Sequence, residues 1–152
     1  MNYWLFKSEP TSYSIDDLVR DTTMRWDGIR NYQARNMLRD DVKKGDKIIF
    51  YHSSCAEPAA VGTAKVARAG YPDFTAWDPS SENPDAKSTP EKPMWFMVDI
   101  TFSSKFKTQI RLKDMHENPR LADMRLLQKG NRLSIFPILK KHFETLVHLG
   151  AQ

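Results

Sequence analysis

The segment "KKGDKIIFYHSSCAEPAAVGTAKVAR", residues 43–68, sets two strand signals side by side with little between them. Gly45-Asp46 marks a turn, and the β-rich apolar run after it reads as a strong strand. "AAVGTAKVAR" (59–68) alternates and reads as the next strand. Gly62 inside it allows a bend or a close approach of another backbone. Two strands joined this closely leave no room for a crossover helix. The segment therefore argues for a mixed or antiparallel sheet and against a doubly wound one.

The flanks extend this pattern. Upstream, "YWLFK" (3–7) reads as a buried strand. "SIDDLVRD" (14–21) is a short helix with Ser14 as N-cap and Asp16 and Asp17 in its first turn, where the helix dipole favours acids. "NYQARNMLRD" (31–40) reads as a second helix, capped by Asn31, with Ala34, Met37 and Leu38 on one face. Downstream, residues 78–93 are rich in Pro, Ser, Asn, Asp and Lys and read as a long surface loop. "MWFMVDITFSSKFK" (94–107) carries the longest strand signal. Short helical turns follow, interrupted by Pro119 and stopped by Gly130. "RLSIFPI" (132–138) is extended, since Pro137 biases Phe136 away from helix. "LKKHFETLVHLG" (139–150) is an amphipathic helix, with Leu139, Phe143, Leu146 and Val147 facing inward and Gly150 as the C′ residue. The expected architecture is α+β: a curled mixed sheet of about five or six strands, bending toward a barrel and flanked by short helices.

The chain has 152 residues, 40% of them hydrophobic, which suits one domain (1–152) with one sizeable core. No apolar run approaches a membrane span, and "MNYWLFKSEP" lacks the basic n-region and cleavage site of a secretory signal. A single cysteine, Cys55, rules out an internal disulfide and fits a reducing cytoplasm. The net charge of +4 is unevenly spread. Residues 71–102 are net −4, and residues 103–142 are net +7. One positive side of this kind suits a polyanion, although surface Lys and Arg can also serve only solubility.

Enzyme templates come up short: the chain has no Gly-rich phosphate loop, no nucleophile elbow and no HExxH. His52 and Cys55 are the one imaginable nucleophile pair, yet on a continuing strand they point to opposite faces. The other histidines, 116, 142 and 148, are scattered, so no metal set is expected. Asp16-Asp17 and Asp40-Asp41 sit at helix termini, where capping and solvation explain them.

"RWDGIRNYQARN" (25–36) packs Trp, Tyr, three Arg, two Asn and a Gln into one stretch. Aromatic rings stack on bases, Arg stacks or forks onto acceptors, and Asn and Gln read base edges. Such a mix suits a flat, partly polar ligand. The alternative is that Trp26 plugs the core while the arginines lie on a solvent face.

"YWLFKSEP" (3–10), "WDGIRNYQARN" (26–36), "IIFYHS" (48–53), "AVGTAKV" (60–66), "YPD" (71–73), "DMRLLQKGNRLS" (123–134) and "RLSIFPI" (132–138) follow the order and spacing of one known family. From about Asn2 to Leu149 the chain resembles the EVE domain family, in both its thymocyte nuclear protein type and its stand-alone bacterial form. That resemblance implies a PUA-like fold, shared with YTH and ASCH domains, and a reader of modified bases, chiefly modified cytosine in DNA. The chain departs from the family pattern with Phe136 where Gln is common, and with Ile29 and Ile135 where Val is common. A ring at 136 puts a Gln-type hydrogen bond there in doubt.

On that basis a base flipped out of its stack enters an aromatic and polar pocket. Trp26 is expected as a stacking wall, opposed by Tyr32 or Tyr51. Ser8, Asn31 and Ser53 are candidates for the base edge, His52 for a bond set by its tautomer, and Ser134 for the floor. Arg30, Arg35 and Arg132 are candidates for phosphate or acceptor contacts. Each has a plainer role: Tyr51 as a core residue, Ser8 as a cap before Pro10, Arg30 as a partner of Asp27. The partner expected is nucleic acid, modified DNA ahead of RNA. No catalysis, cofactor, metal or membrane is expected. The chain is expected to act as a monomer or weak homodimer in the cytoplasm, or in the nucleus of a eukaryote. An RNA-binding module and a sensor of a free nucleotide or small anionic metabolite remain the competing readings.

Overall fold

The computed structural model describes residues 1–152. Six strands form one sheet: β1 (Tyr3–Ser8), β2 (Thr23–Trp26), β3 (Lys47–His52), β4 (Ala59–Pro72), β5 (Phe96–Arg111) and β6 (Ile135–Ile138), in the order β2-β5-β4-β3-β1-β6. Only β1 and β3 pair in parallel, Tyr3 opposite Lys47 through Ser8 opposite His52. These two strands carry unbroken apolar runs, Trp4 to Phe6 and Ile48 to Tyr51, all buried. That is the pattern of strands covered on both faces. β2 and β6 are the outer edges and do not pair with each other, so the sheet is open and no barrel closes.

β4 and β5 are long, and their ladder shifts register at several points, as does β3 on β4 between Phe50 and Tyr51. Such bulges bend the strands and increase twist. Gly62 sits at one of them. A Cβ there would collide with the Ser104 carbonyl oxygen and with Ile15, so the bend and the close approach both hold.

Four helices flank the sheet: α1 (Ile15–Asp21), α2 (Tyr32–Asn36), α3 (Leu112–His116) and α4 (Lys140–Gly150). α1 begins with a reciprocal capping box between Ser14 and Asp17. α2 runs on into a π-helical turn, Met37–Asp41, and the pair buries Ala34, Met37 and Leu38 as expected. α4 packs on β5 and β4. Asp46, buried in the turn before β3, accepts from the Trp4 indole at 3.0 Å and from the amides of Asn2 and Lys43. It ties the start of β1 to β3. No helix is long and apolar enough to cross a membrane.

Several expectations need correction. β2 carries no strong strand signal in sequence; its four residues are a strand because β5 offers an open edge. Residues 78–93 form the expected surface loop, and hydrogen bonds fasten it to its neighbours: Trp95 donates to Asp85 at 2.7 Å, the buried Ser88 hydroxyl accepts from the Met94 amide, and the Asp85 amide donates to the Ala76 carbonyl. Leu139 lies at the N-cap of α4 and is exposed, while His142 takes the inward position beside Phe143 and Leu146. Gly150 is the last helical residue and not a left-handed cap. It is small because the Phe106 ring lies where its Cβ would be.

Candidate functional site

A cavity of about 640 Å³ opens between the end of β1, the segment after it, β2 and the loop following β4. Ser8, Thr11, Ser12 and Tyr13 line one side, Met24 to Gly28 a second, and Thr75 with Ser81 to Asn83 the third. Its size suits a small planar ligand with attached groups. Most of the lining is polar. Tyr13 and Trp26 are its aromatic residues.

Local structure explains each wall. The Ser8 hydroxyl donates to the Tyr13 carbonyl at 2.5 Å, folding the 9–13 segment back onto β1. The Tyr13 hydroxyl donates to Asp21 at 2.9 Å, and burial with that carboxylate pushes the phenol upward in pKa. Gly28, at φ +78°, turns the chain out of β2, and its amide donates to Asp73 at 2.9 Å. Asp73 is fully buried and also caps the 3₁₀ turn Phe74–Trp77 through the Thr75 amide and hydroxyl. Arg30 completes this knot, with Nη1 3.0 Å from Asp73 and Nε donating to the Asn83 carbonyl at 2.9 Å. Burial works to raise the Asp73 carboxyl, but the bonds from Thr75, Gly28 and Arg30 outweigh it and hold the group below its ordinary value.

A second cluster clamps the same loop from outside. Tyr32 stacks on Trp95, centroids 4.9 Å apart and planes 25° off parallel. Arg35 lies over both rings and donates to the Met94 carbonyl at 2.7 Å, and Arg30 lies over Trp95. The planar groups of residues 30–35 thus largely satisfy one another.

A smaller hollow, about 360 Å³, lies beyond α2 between Asn31, Gln33 and the 125–133 segment. Arg125, Lys129 and Arg132 line it. None of the three takes part in an ion pair, unlike Arg20, Arg30, Arg39 and Arg111. Asn131 lines it too, and its buried Nδ2 has no hydrogen-bond partner. A larger hollow, about 840 Å³, lies around Met1 to Trp4 and Pro137 to Lys140.

A family model described as "EVE domain" matches residues 2–149. The chain belongs to the EVE domain family. It is 38% identical over 167 residues to mouse thymocyte nuclear protein 1, spanning 97% of this chain and 73% of the relative. A Pseudomonas syringae protein of known structure is 46% identical, with a TM-score of 0.92 over 97% of this chain and 99% of its own. The human THYN1 protein, solved in complex with 5-methylcytosine-containing DNA, is 35% identical, with a TM-score of 0.90 over 100% of this chain and 99% of its own.

Within this EVE domain the expected site residues scatter. Ser8 and Trp26 line the cavity between the end of β1 and β2. Trp26, however, is only 6% exposed and packs against Phe6 and Phe50, so it is a core residue with an edge at the cavity. Tyr51 is buried in the core, and burial pushes its phenol up to about 12. Tyr32 is exposed but belongs to the Trp95 stack. Asn31 caps α2 by accepting from the Ala34 amide, and it borders the smaller hollow. His52 accepts the Ile15 amide on Nε2 at 3.1 Å. Ser53 and Ser134 enter through their backbones: the Ser53 amide donates to the Ser8 carbonyl and the Ser134 carbonyl accepts from Lys7. Arg30 pairs with Asp73 and not with Asp27, and Arg35 is held in the loop clamp. Arg132 alone of the three arginines makes neither an ion pair nor a side-chain hydrogen bond, since Arg35, though not ion-paired, donates to Asn36 and the Met94 carbonyl. Sequence reasoning missed Tyr13, Arg25, Asp27 and the 81–83 wall. Asp27 lay within the quoted motif, but nothing in its spacing set it apart from a solvated acid.

Proposed function

We propose that this EVE domain binds DNA and reads 5-methylcytosine, taking the flipped base into the cavity between the end of β1 and β2, as a reader and not a catalyst. The observation that carries the reading is that cavity, lined by Tyr13, Trp26 and polar side chains, in a chain so close in fold and sequence to the human THYN1 protein solved with 5-methylcytosine-containing DNA. Flipping costs a few kcal/mol. Stacking against an aromatic side chain returns about 1–3 kcal/mol, and edge hydrogen bonds a similar amount. Holding the backbone supplies the rest. In this reading Tyr13 and the edge of Trp26 hold the ring, and Ser8 with the 81–83 wall borders it. The unpaired Arg125, Lys129 and Arg132 take phosphates. Arg30 and Arg35 act indirectly, by fixing the loop that forms one wall.

The test is fluorescence anisotropy with duplexes carrying cytosine, 5-methylcytosine or 5-hydroxymethylcytosine at one position, in DNA and RNA and at two salt concentrations. A preference for 5-methylcytosine DNA, reduced in Tyr13→Ala, is the expected result. Equal binding to all bases, with salt dependence alone surviving, overturns base reading. Preference for the RNA series moves the substrate to RNA.

A further inference from the structure

We propose that Asp27 accepts a hydrogen bond from the 4-amino group of the bound base, and so separates 5-methylcytosine from thymine. The inference rests on the base-reading function above and adds its specificity determinant.

The need is chemical. 5-Methylcytosine and thymine share ring size, the 5-methyl group and O2. They differ at position 4, amino against carbonyl, and at N3, acceptor against N–H. A cavity that recognises only ring and methyl binds both. Hydrogen bonds discriminate where shape does not. A carboxylate at position 4 accepts from the amino group of cytosine and faces the lone pairs of the thymine carbonyl.

Asp27 is the side chain placed for this. It follows Trp26 at the end of β2 and lines the cavity beside it. Several of its neighbours are already paired: Asp73 is taken by Arg30, Gly28 and Thr75, and the Ser8, Tyr13, Thr75 and Ser81 hydroxyls all donate within the protein. Thr11, Ser12, Arg25 and Asn83 line the cavity with uncommitted side chains too, but none of them is an anionic acceptor. Asp27 has no hydrogen bond or ion pair; Arg25 and Arg30 act on it only at a distance, as do Asp73 and Glu82. An unpaired carboxylate opposes a polyanionic ligand unless it takes a bond from it. Glu82 is the other free carboxylate at the cavity; it is exposed, as Asp27 is, but it lies on the loop after β4 and not next to Trp26 at the end of β2.

The titration of Asp27 gives the idea a second handle. Protein atoms crowding the carboxyl, and then the Asp73 charge, push it above the ordinary carboxylate value, although much of the side chain stays accessible. Ionised, it only accepts and excludes thymine. Protonated, it can also donate to the thymine carbonyl, so selectivity against thymine falls as pH drops through that raised pKa.

The experiment measures affinity for DNA carrying cytosine, 5-methylcytosine or thymine opposite an abasic site, which removes differences in base-pair opening, between pH 5 and 8. Wild type is expected to prefer 5-methylcytosine over thymine by about tenfold or more at pH 8, less at pH 5. Asp27→Asn presents either an acceptor or a donor. It is expected to bring the two within about twofold at every pH, while 5-methylcytosine stays ahead of cytosine. An unchanged thymine ratio in Asp27→Asn, transfer of the effect to Glu82→Gln, or a wild-type ratio flat with pH overturns the role of Asp27 and leaves base reading intact. Wild type that does not distinguish any of the three bases overturns base reading itself.

Discussion

Single residues in this chain are committed to one another more than their types suggest. The Arg30–Asp73 pair is the clearest case, with the carboxylate fully buried and the guanidinium largely so. Removing one member leaves the other charge without its partner. Arg30→Met is expected to lower stability by about 3 kcal/mol in chemical denaturation and to weaken DNA binding through a loosened 75–83 wall. His52 provides a pH handle. Burial holds its imidazole below the ordinary 6.5, against the opposing charge of Asp16. Its Nε2 must be unprotonated to accept the Ile15 amide. The unfolded chain therefore binds the proton more readily, and this contribution is present above about pH 6.5 and lost as pH falls through the lower folded-state pKa. Thermal midpoints of wild type and His52→Phe should converge as pH drops from 7.5 to 5. An unchanged gap would remove His52 from the acid response. Trp26→Ala is expected to cost about 3–5 kcal/mol as a core deletion, so lost binding in that variant would report unfolding as much as stacking. Tyr13→Ala is the cleaner probe.

At the scale of elements, close packing and capping set the limits. β4 approaches both β5 and α1 at Gly62, where the obstructing atom of β5 is a backbone carbonyl that cannot rotate away. Gly62→Ala is expected to lower stability by about 1–3 kcal/mol, measurable as a reduced denaturation midpoint. Gly150 faces the Phe106 ring in the same way across α4 and β5, and a smaller side chain at 106 should rescue Gly150→Ala in a double mutant. The helix at 15–21 was plain in sequence because Ser14, Asp16 and Asp17 state its start chemically. The strand at 23–26 was not, since its four residues have no alternation worth reading and are ordered by the edge of β5.

For the whole molecule, charge distribution is the quantity that matters. The net −4 middle segment spends much of its acid internally, in Asp73, Asp85 and Asp99, the last accepting from Tyr71. The net +7 segment leaves Arg125, Lys129 and Arg132 unpaired around one hollow. If these contact phosphates, the slope of log affinity against log salt should shallow by roughly 0.9 for each one replaced with Ala in duplex DNA. The decrease should be the same for cytosine and 5-methylcytosine, because phosphates carry no base information. A triple variant with an unchanged slope would remove the hollow from the DNA interface.

The sequence by itself determined five of the six strands, the capped helices, the mixed sheet and membership in the EVE family. Those properties rest on local periodicity, on capping chemistry and on motif order, all of which are readable along the chain. Most destinations within "RWDGIRNYQARN" were decided by tertiary structure. Trp26 went to the core because Phe6 and Phe50 meet it there. Asn31 capped α2 as its place in the sequence indicated, whereas Tyr32, Arg30 and Arg35 went to hold a loop some fifty residues away in sequence. A planar or charged side chain satisfies itself with whatever partner the fold brings near, and burial without a partner is costly. Which groups remain unpaired, and so free for a ligand, is settled only when every other partner has been assigned. That is why Asp27, Arg125 and Lys129 stand out in three dimensions and not in the sequence, and why, of the three arginines the sequence offered, Arg132 is the one left without a side-chain hydrogen bond or ion pair.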